Sequence, residues 1–269
     1  MFKYGIKIWN INKDWFGQVV ELIKQGQADF VEIYLVPDSF ALADFNIFLE
    51  NKIPVVIHAP HTTHDFDVFN LTKESLDIWH NQVIKTADYL ESQFIIVHPG
   101  VGDNKEIFKQ ESQKIKDERV LMESMIKVGF VAVKEGGVMC FGFSKEELLF
   151  IHKECGFAIC FDVCHSLASA VWQKINPYDF INECIDLLKP RYFHLSGGNV
   201  ADDTDKHLDL RQGTFDYRFI KEKLLPIAEG EDVFLSFEVP KIGDGLANDL
   251  KNIEYFKNIG VCPQPLSKD

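Results

Sequence analysis

Short runs rich in Val, Ile and Phe alternate with amphipathic stretches along the chain. Eight apolar runs have the length and the β-branched and aromatic content of buried strands, and they cover residues 4–9, 30–35, 54–58, 94–98, 120–123, 158–162, 192–195 and 233–238. The amphipathic stretches predict helices at residues 14–25, 74–91, 146–153, 178–188, 217–227 and 246–256. Alternating strands and helices are typical of the α/β class, and eight such units predict a (β/α)8 TIM barrel.

Length and composition agree with this architecture. A chain of 269 residues, 46% of them hydrophobic, has enough apolar material for one sizeable core, so we expect residues 1–269 to form a single domain. No stretch approaches 18 apolar residues, and the first residues lack the apolar segment of a signal peptide. We therefore expect a soluble, cytoplasmic protein with no membrane partner.

The six cysteines lack a dense, regular spacing, which favours reduced, buried thiols over disulfides. Cys160 and Cys164 have a separation seen in metal sites, but they flank Asp162 on an extended run. We expect both thiols to face away from a site built by Asp162 and to pack in the core.

The formal net charge of −13 bears on the partners. An acidic chain repels phosphate backbones, which disfavours nucleic acid unless bound cations reverse the field at one mouth of the barrel. The sequence also has no basic run that would make a second, local site for nucleic acid.

Nine residues able to bind a metal ion lie at the ends of predicted strands or in the loops that follow them. They are His58, His98, Glu123, Asp162, His165, His194, Asp205, His207 and Glu238. The carboxyl ends of parallel barrel strands meet at one mouth, where barrel enzymes carry their active sites. A carboxylate such as Glu123 at the tip of a buried strand is costly without a partner. We therefore predict a metal site at this mouth, rather than a set of unrelated local hydrogen bonds.

The types of side chain indicate the kind of metal. Five imidazoles and four carboxylates, with no thiolate, suit Zn²⁺, Mn²⁺ or Fe²⁺ better than magnesium or calcium. Nine ligands are too many for one ion. Three divalent cations would carry more charge than four carboxylates neutralise, so the mouth would attract an anion although the chain is acidic.

These residues lie in seven short motifs along the chain. They are His58-Ala-Pro-His61, Val97-His-Pro-Gly100, Leu121-Met-Glu123, Asp162-Val-Cys-His165, Phe193-His-Leu195, Asp205-Lys-His207 and Phe237-Glu-Val-Pro240. As a set, from about residue 54 to residue 240, they resemble the family-2 AP endonucleases, the endonuclease IV group. That family falls within the xylose isomerase-like TIM barrel superfamily.

The resemblance implies a site with up to three zinc ions. The three positions would be formed, in turn, by His58, His98 and Glu123, by Glu123, Asp162, His194 and Glu238, and by His165, Asp205 and His207. The implied activity is phosphoester hydrolysis, in which the metal ions activate water and stabilise the leaving oxygen.

Other segments depart from the family pattern. The first strand reads Gly5-Ile6-Lys7-Ile8-Trp9 where the family has a Gly-Ala-His-Val-Ser-like segment, and residues 34–39 replace an Arg- and Asn-containing loop that probes DNA. His61 stands where the family has an aromatic residue that helps to open the duplex. The metal cage is retained but the DNA-reading loops are not. We therefore expect a phosphorylated or carbohydrate small molecule as substrate rather than abasic DNA.

Two alternatives remain open. A sugar or sugar-phosphate isomerase or epimerase of the same superfamily would use carboxylates for proton transfer beside a carbonyl, with His165 near the substrate. It would need one divalent metal on the quartet Glu123, Asp162, His194 and Glu238. A non-catalytic zinc protein is the other alternative, but structural zinc sites are usually four-coordinate and rich in cysteine.

The candidate catalytic residues are Glu123, Glu238 and His165. The candidates for contact with the substrate are His61, His64, Arg211 and Trp9. Arg211 offers a bidentate contact to an anion, and Trp9 offers an aromatic face to a sugar or a base.

Overall fold

The fold is a closed barrel of eight parallel strands in chain order, with β8 paired to β1. The computed structural model describes residues 1–127, 139–241 and 245–260, so Cys262 lies outside the described residues. The strands are β1 (Phe2–Trp9), β2 (Phe30–Tyr34), β3 (Val55–His58), β4 (Ile95–Val97), β5 (Val120–Glu123), β6 (Ala158–Asp162), β7 (Tyr192–Leu195) and β8 (Val233–Phe237). The predicted (β/α)8 TIM barrel is confirmed.

Helices cover the outside of the barrel. They are α1 (Phe16–Lys24), α2 (Asn46–Glu50), α3 (Lys73–Ile78), α4 (Lys85–Tyr89), α5 (Lys105–Ser112), α6 (Lys145–Lys153), α7 (Val163–Trp172), α8 (Pro177–Leu188), α9 (Tyr217–Gly230) and α10 (Ala247–Asn258). A π-helical turn, Trp79–Ile84, joins α3 to α4, so the stretch predicted at residues 74–91 is helical almost throughout. No helix in the described ranges is long and apolar enough to cross a membrane.

A serine caps the start of α6. Ser144 Oγ accepts a hydrogen bond from the Glu147 amide at 3.2 Å, which satisfies one of the free donors of the first turn. The Glu147 carboxylate accepts from the amides of Gly142 and Phe143, just before the helix. The two side chains together fix the point at which α6 begins.

The predicted helices did not include α2, α5 or α7, and α7 is the one that carries a predicted ligand. Eight of its ten residues, Val163 to Ala170, are buried, so burial does not divide the helix into an apolar face and an exposed polar face. It begins directly after β6, and the Asp162 side chain caps it by accepting from the His165 amide at 2.7 Å. The spacing of Asp162 and His165 is therefore that of an N-cap residue and the third residue of a helix.

The inside of the barrel is built in layers, because side chains alternate between its two faces along each strand. An apolar layer closes the interior below the mouth, and it consists of Phe30, Val56, Ile96, Leu121, Cys160 and Tyr192 with Phe94 and Phe234 packed against them. A larger core fills the space between the strands and the helices. The next inward-facing positions, two residues further along the strands, form the floor of the mouth.

Candidate metal centre

The floor of the mouth is polar although it is buried. Two residues after each member of the apolar layer comes a residue able to carry charge, and these include Glu32, His58, His98, Glu123, Asp162 and His194. The nine predicted ligands come together here in three groups. In each group the ligand atoms lie within 4.8 Å of one another: His58, His98 and Glu123; Glu123, Asp162, His194 and Glu238; and His165, Asp205 and His207.

Glu123, at the end of β5, lies between two of the groups. Its Oε2 atom is 3.2 Å from Nε2 of His58 and 3.2 Å from Nε2 of His98. Its Oε1 atom faces the other way and lies 3.2 Å from His165 Nδ1 and 3.4 Å from His194 Nδ1. A carboxylate that turns its two oxygens toward different ligand groups has the geometry needed to bridge two cations.

The central group gathers around Nδ1 of His194 at the barrel axis. This atom lies 2.8 Å from Glu238 Oε1 and 3.8 Å from Asp162 Oδ2. The other oxygen of Glu238 lies 3.5 Å from His207 Nδ1, so Glu238 links the central group to the third. His194 and Asp162 are fully buried.

The third group is held by the loop after β7 and the start of α7. Asp205 Oδ2 lies 3.3 Å from His165 Nε2 and 2.8 Å from His207 Nε2. His207 has a backbone φ of 42°, in the left-handed region that non-glycine residues rarely adopt. Such strain persists only where surrounding contacts enforce it, and it is common at functional sites.

Gly197 provides those contacts. Its amide donates to the Leu208 carbonyl at 2.6 Å, and the Leu208 amide donates back to the Gly197 carbonyl at 3.0 Å. A Cβ atom at position 197 would collide with the carbonyl oxygen of Asp209. The absence of a side chain therefore lets the loop return close to the strand end and carry Asp205 and His207 into the mouth.

Each imidazole has two ring nitrogens. A hydrogen bond from one of them to the protein determines which nitrogen faces the mouth. His58 Nδ1 donates to the Ala59 carbonyl at 2.8 Å, which leaves Nε2 beside Glu123. His165 Nδ1 donates to the Ser124 carbonyl at 2.9 Å, which leaves Nε2 for the third group. Partners of this kind set the tautomer and orientation of metal-binding histidines.

Several ionisable groups at the site have pKa values shifted from their usual range. Burial alone would raise the pKa of Glu123, but the neighbouring imidazoles hold it well below its usual range. Burial opposes protonation of His165 and His194, yet the nearby carboxylates raise the pKa of both imidazoles well above their usual value. Burial, with two neighbouring carboxylates adding to the effect, raises the pKa of Asp162 to about 6. A divalent cation bound here would have to displace protons from these groups.

Unsatisfied atoms test whether a metal fits the site. Within the described ranges, four buried atoms of the predicted ligands have no hydrogen-bond partner: Asp162 Oδ2, His194 Nδ1, Asp205 Oδ1 and His207 Nε2. Leaving buried polar atoms unpaired is costly, and the nine side chains are the nitrogen and oxygen donors that zinc, manganese and iron accept. The residues present therefore fit divalent cations.

The mouth opens into a cavity of about 700 Å³, and two of the four predicted substrate contacts line it. Trp9 is 47% exposed and His61 stacks on His98, with 4.9 Å between ring centroids. His64 does not line the cavity, and its Nδ1 lies 2.8 Å from the hydroxyl of Tyr34, which does. Arg211 is also outside the lining and faces Asp209 at 3.5 Å.

Lys7 and Glu32, which no sequence motif marked, lie in the same floor. Lys7 Nζ lies 3.0 Å from Glu32 Oε1 and also contacts Glu238. A signal was present in the sequence, because each residue is a charge inside an apolar strand. Each also stands two positions beyond an inward-facing residue, Gly5 or Phe30.

The expectation that Cys160 and Cys164 face away from the site requires a correction. Cys160 belongs to the barrel interior, and its Sγ lies within 4.8 Å of ligand atoms of Glu123 and His194. Residues two apart on a strand point to the same side, so Cys160 shares the inward face of Asp162. Cys164 lies on α7 and not on an extended segment. Burial raises the pKa of Cys160 to about 12, so its thiol stays protonated.

Known proteins share both sequence and fold with this chain, although no protein-family model matches it. Endonuclease 4 of Thermus thermophilus is 26% identical over 172 residues, and the aligned part is 60% of this chain and 60% of that protein. The chain thus matches about three fifths of the length of this relative.

Two solved structures show the fold. Endonuclease IV from Thermus thermophilus has a TM-score of 0.69 and 20% identity, covering 95% of this chain and 97% of that chain. L-ribulose 3-epimerase has a TM-score of 0.59 and 15% identity, covering 100% and 89%. The resemblance to endonuclease IV that the motifs indicate is confirmed in sequence and in the TIM-barrel fold.

Proposed function

We propose that the protein is a phosphoester hydrolase that works with up to three divalent cations, Zn²⁺ in the first place and Mn²⁺ or Fe²⁺ as alternatives. One observation carries the proposal: the nine side chains form three ligand groups, and Glu123 and Glu238 link them. Proton transfer at a carbon atom, as in an epimerase, needs only one metal ion and one ligand group. Three linked groups match the requirement for holding both the attacking and the leaving oxygen of a phosphoester.

The residues of the chain would have distinct tasks in this reaction. Bound divalent cations lower the pKa of water and offset charge on phosphoryl oxygens. Glu123 and Glu238 would fix the spacing between ligand groups through their paired oxygens, and His165 would hold the third group through Nε2. Trp9 and His61 would contact the substrate on the side of the cavity away from the floor. These contacts would limit the orientation of the substrate.

A small substrate with a phosphate or sugar moiety fits the site better than duplex DNA. The cavity, of about 700 Å³, has the volume of a small-molecule site, and apolar side chains such as Ile11, Trp15 and Val101 line it beside the polar floor. The net charge of −13 opposes binding of a long polyanion outside the mouth. Abasic DNA therefore stays as an outcome to be tested.

An epimerase or isomerase of sugars is the second candidate. The specific support is the central group, in which Glu123, Asp162, His194 and Glu238 alone provide a complete four-ligand site. The similarity in fold to L-ribulose 3-epimerase extends over the whole chain. In this case one carboxylate would remove a proton beside the carbonyl of a ketose.

Metal content and one substitution separate the two candidates. Elemental analysis of protein purified without chelator should give close to three equivalents of metal per chain for the hydrolase and close to one for the epimerase. The substitution Asp205→Asn breaks the third group but leaves the central group complete. It should abolish hydrolysis of a generic phosphodiester such as bis(4-nitrophenyl) phosphate, whereas an epimerase would retain most of its activity.

The matched control is Asp202→Asn in the same loop, because Asp202 is a half-buried ion-pair partner of Lys206 and belongs to none of the ligand groups. It should leave both activities unchanged. Exchange of the proton beside a ketose carbonyl in heavy water, followed by NMR, reports the epimerase. Incision of a duplex with a single abasic site reports action on DNA. If fully metallated protein cleaves no phosphoester but catalyses this exchange, the hydrolase proposal is wrong.

A further inference from the structure

We propose that Glu32, on β2, is a positioning residue of the metal centre. Its carboxylate holds the His194 ring so that Nδ1 of the ring faces the other ligands. The proposal rests on the proposed metal centre and goes beyond it, because Glu32 belongs to none of the motifs that suggested the ligands. It assigns to one buried carboxylate the control of the central ligand group.

Glu32 is surrounded by donors. Its Oε2 atom accepts a hydrogen bond from His194 Nε2 at 2.9 Å and another from the Tyr192 hydroxyl at 2.6 Å. Its Oε1 atom forms an ion pair with Lys7 at 3.0 Å. The residue has no exposed surface, so none of these contacts competes with solvent. Two hydrogen bonds and one ion pair on a buried carboxylate fix its position closely.

The contact with His194 determines the chemistry of the ring. When Nε2 carries a hydrogen and donates to Glu32, Nδ1 is the nitrogen left to bind a cation. That atom has no hydrogen-bond partner within the described ranges and lies 2.8 Å from Glu238 Oε1. A ring without Glu32 is free to turn or to change tautomer, and either change withdraws Nδ1 from the central group.

Lys7 explains why Glu32 acts as a positioning residue and not as a further ligand. Glu32, His58 and Glu238 lie close enough together to hold a cation, but the Lys7 ammonium already contacts both carboxylates. The ammonium takes the place of a cation there and offsets the charge of Glu32. The carboxylate can then remain ionised in the interior without drawing a metal away from His194.

A purely structural ion pair is the alternative explanation. In that case Glu32 would stabilise the barrel through Lys7 and Tyr192, and the orientation of His194 would follow from packing. The two explanations differ in one respect: a structural pair changes the stability of the fold, whereas a positioning residue changes the state of one ring and the affinity for one cation.

The first experiment uses the unchanged protein. Long-range ¹H–¹⁵N correlation spectra of zinc-loaded protein with ¹⁵N-histidine show which nitrogen of each ring binds metal, and the spectrum of His194→Gln identifies the signals of His194. We expect a metal-bound Nδ1 and a slowly exchanging hydrogen on Nε2. A His194 ring that binds through Nε2, or that binds no metal, overturns the proposal whether or not any Glu32 variant folds.

The second experiment measures zinc affinity by competition with a chelating dye. Glu32→Gln keeps the shape but cannot accept from His194, Tyr192 and Lys7 together. It should weaken the binding of one cation by about 10- to 100-fold and leave the others within about threefold. Tyr192→Phe removes one donor but keeps the contact with His194, so we expect less than about a threefold change.

Glu147→Gln is the matched control, because Glu147 also accepts two hydrogen bonds but lies outside the ligand groups. It should leave every zinc affinity unchanged. If Glu32→Gln lowers the unfolding temperature but leaves all zinc affinities and the His194 signals as they were, the structural explanation is correct and the proposal is overturned. If the unchanged protein binds no zinc, the proposed function itself fails, which is a distinct result.

Discussion

The imidazole of His61 lies parallel to that of His98, with 4.9 Å between the ring centroids and 9° between the planes. His98 Nε2 faces Glu123 at 3.2 Å, so the stack covers one face of a candidate ligand. Burial and the neighbouring imidazoles lower the pKa of His61 to about 2. His61 is therefore neutral at physiological pH and supports His98 without repelling a cation.

Substitution of His61 tests this support. His61→Ala should weaken the binding of the cation held by His58, His98 and Glu123 by about 2- to 10-fold, which corresponds to about 0.5–1.5 kcal/mol for one aromatic pair. His61→Phe retains the stack and should bind nearly as tightly as the unchanged protein. Titration with zinc against a chelating dye measures both variants. Equal affinities for the Ala and Phe variants would show that the stack does not position His98.

Uptake of metal at pH 7 should release protons. The carboxylates raise the pKa of His165 and His194 well above the usual value, so both rings are imidazolium ions at pH 7 in the metal-free protein, and a cation must displace one proton from each. Affinity should therefore decrease as the pH is lowered. Calorimetric titration in two buffers with different heats of ionisation gives the number of protons released. Identical heats in the two buffers would contradict the expectation.

The same shifts predict the pH dependence of the metal-free fold. A raised imidazole pKa stabilises the folded state fully below the pKa of the unfolded chain, and the contribution is lost as the pH rises through the folded-state pKa. Urea unfolding in the presence of chelator should thus show a decrease of stability above neutral pH. Saturation with zinc should remove this decrease, because the cation then replaces the protons beside Glu123 and Asp162.

The barrel was predictable because its strands are short, apolar and separated by turn residues. In addition, the alternation of inward-facing and outward-facing side chains along the strands continues into the site. Ligands such as His58 and His194 end apolar runs, and that position marks the mouth. Lys7 and Glu32 follow the same alternation, but each lies one inward-facing position before the end of its strand, and neither belongs to a sequence motif. Their partners are far apart in the chain, so only the closed barrel shows the contacts.

The loops were harder to predict than the strands. Hydrophobic pattern carries no information about a helix that is buried on nearly all sides, which is why α7 was missed. His64 and Arg211 lie in loops whose course depends on backbone turns and not on side-chain pattern, and neither reaches the cavity lining. His207 does line the cavity, and its backbone adopts a left-handed conformation that no side-chain pattern predicts.

Removal of metal should destabilise the fold without changing its architecture. The carboxylates of Glu123, Asp162 and Glu238 belong to one ligand group, where a bound cation would offset their mutual repulsion. A cation present at 100 times its dissociation constant stabilises the folded state by about 2.7 kcal/mol. Urea unfolding with excess zinc or with chelator measures the difference, while the far-ultraviolet circular dichroism of the native state should remain the same. Equal midpoints would indicate that no cation binds the folded protein.

Gly197 should be intolerant of a side chain because of the close return of the loop that carries Asp205 and His207. Gly197→Ala places a Cβ against the Asp209 carbonyl and should lower the free energy of unfolding by about 1–3 kcal/mol. It should also reduce binding of the cation held by the third group, since the loop must move outward. Gly17→Ala, on α1, is the matched control, because among the described residues no atom other than the neighbouring backbone lies within 4 Å of the added Cβ.

In a helix this control should raise the free energy of unfolding by about 0.5–1 kcal/mol. Urea unfolding and zinc titration of the two variants give the comparison. A Gly197→Ala protein with normal stability and a full complement of zinc would mean that the loop does not depend on the close contact with Asp209. The left-handed backbone of His207 would then need another cause.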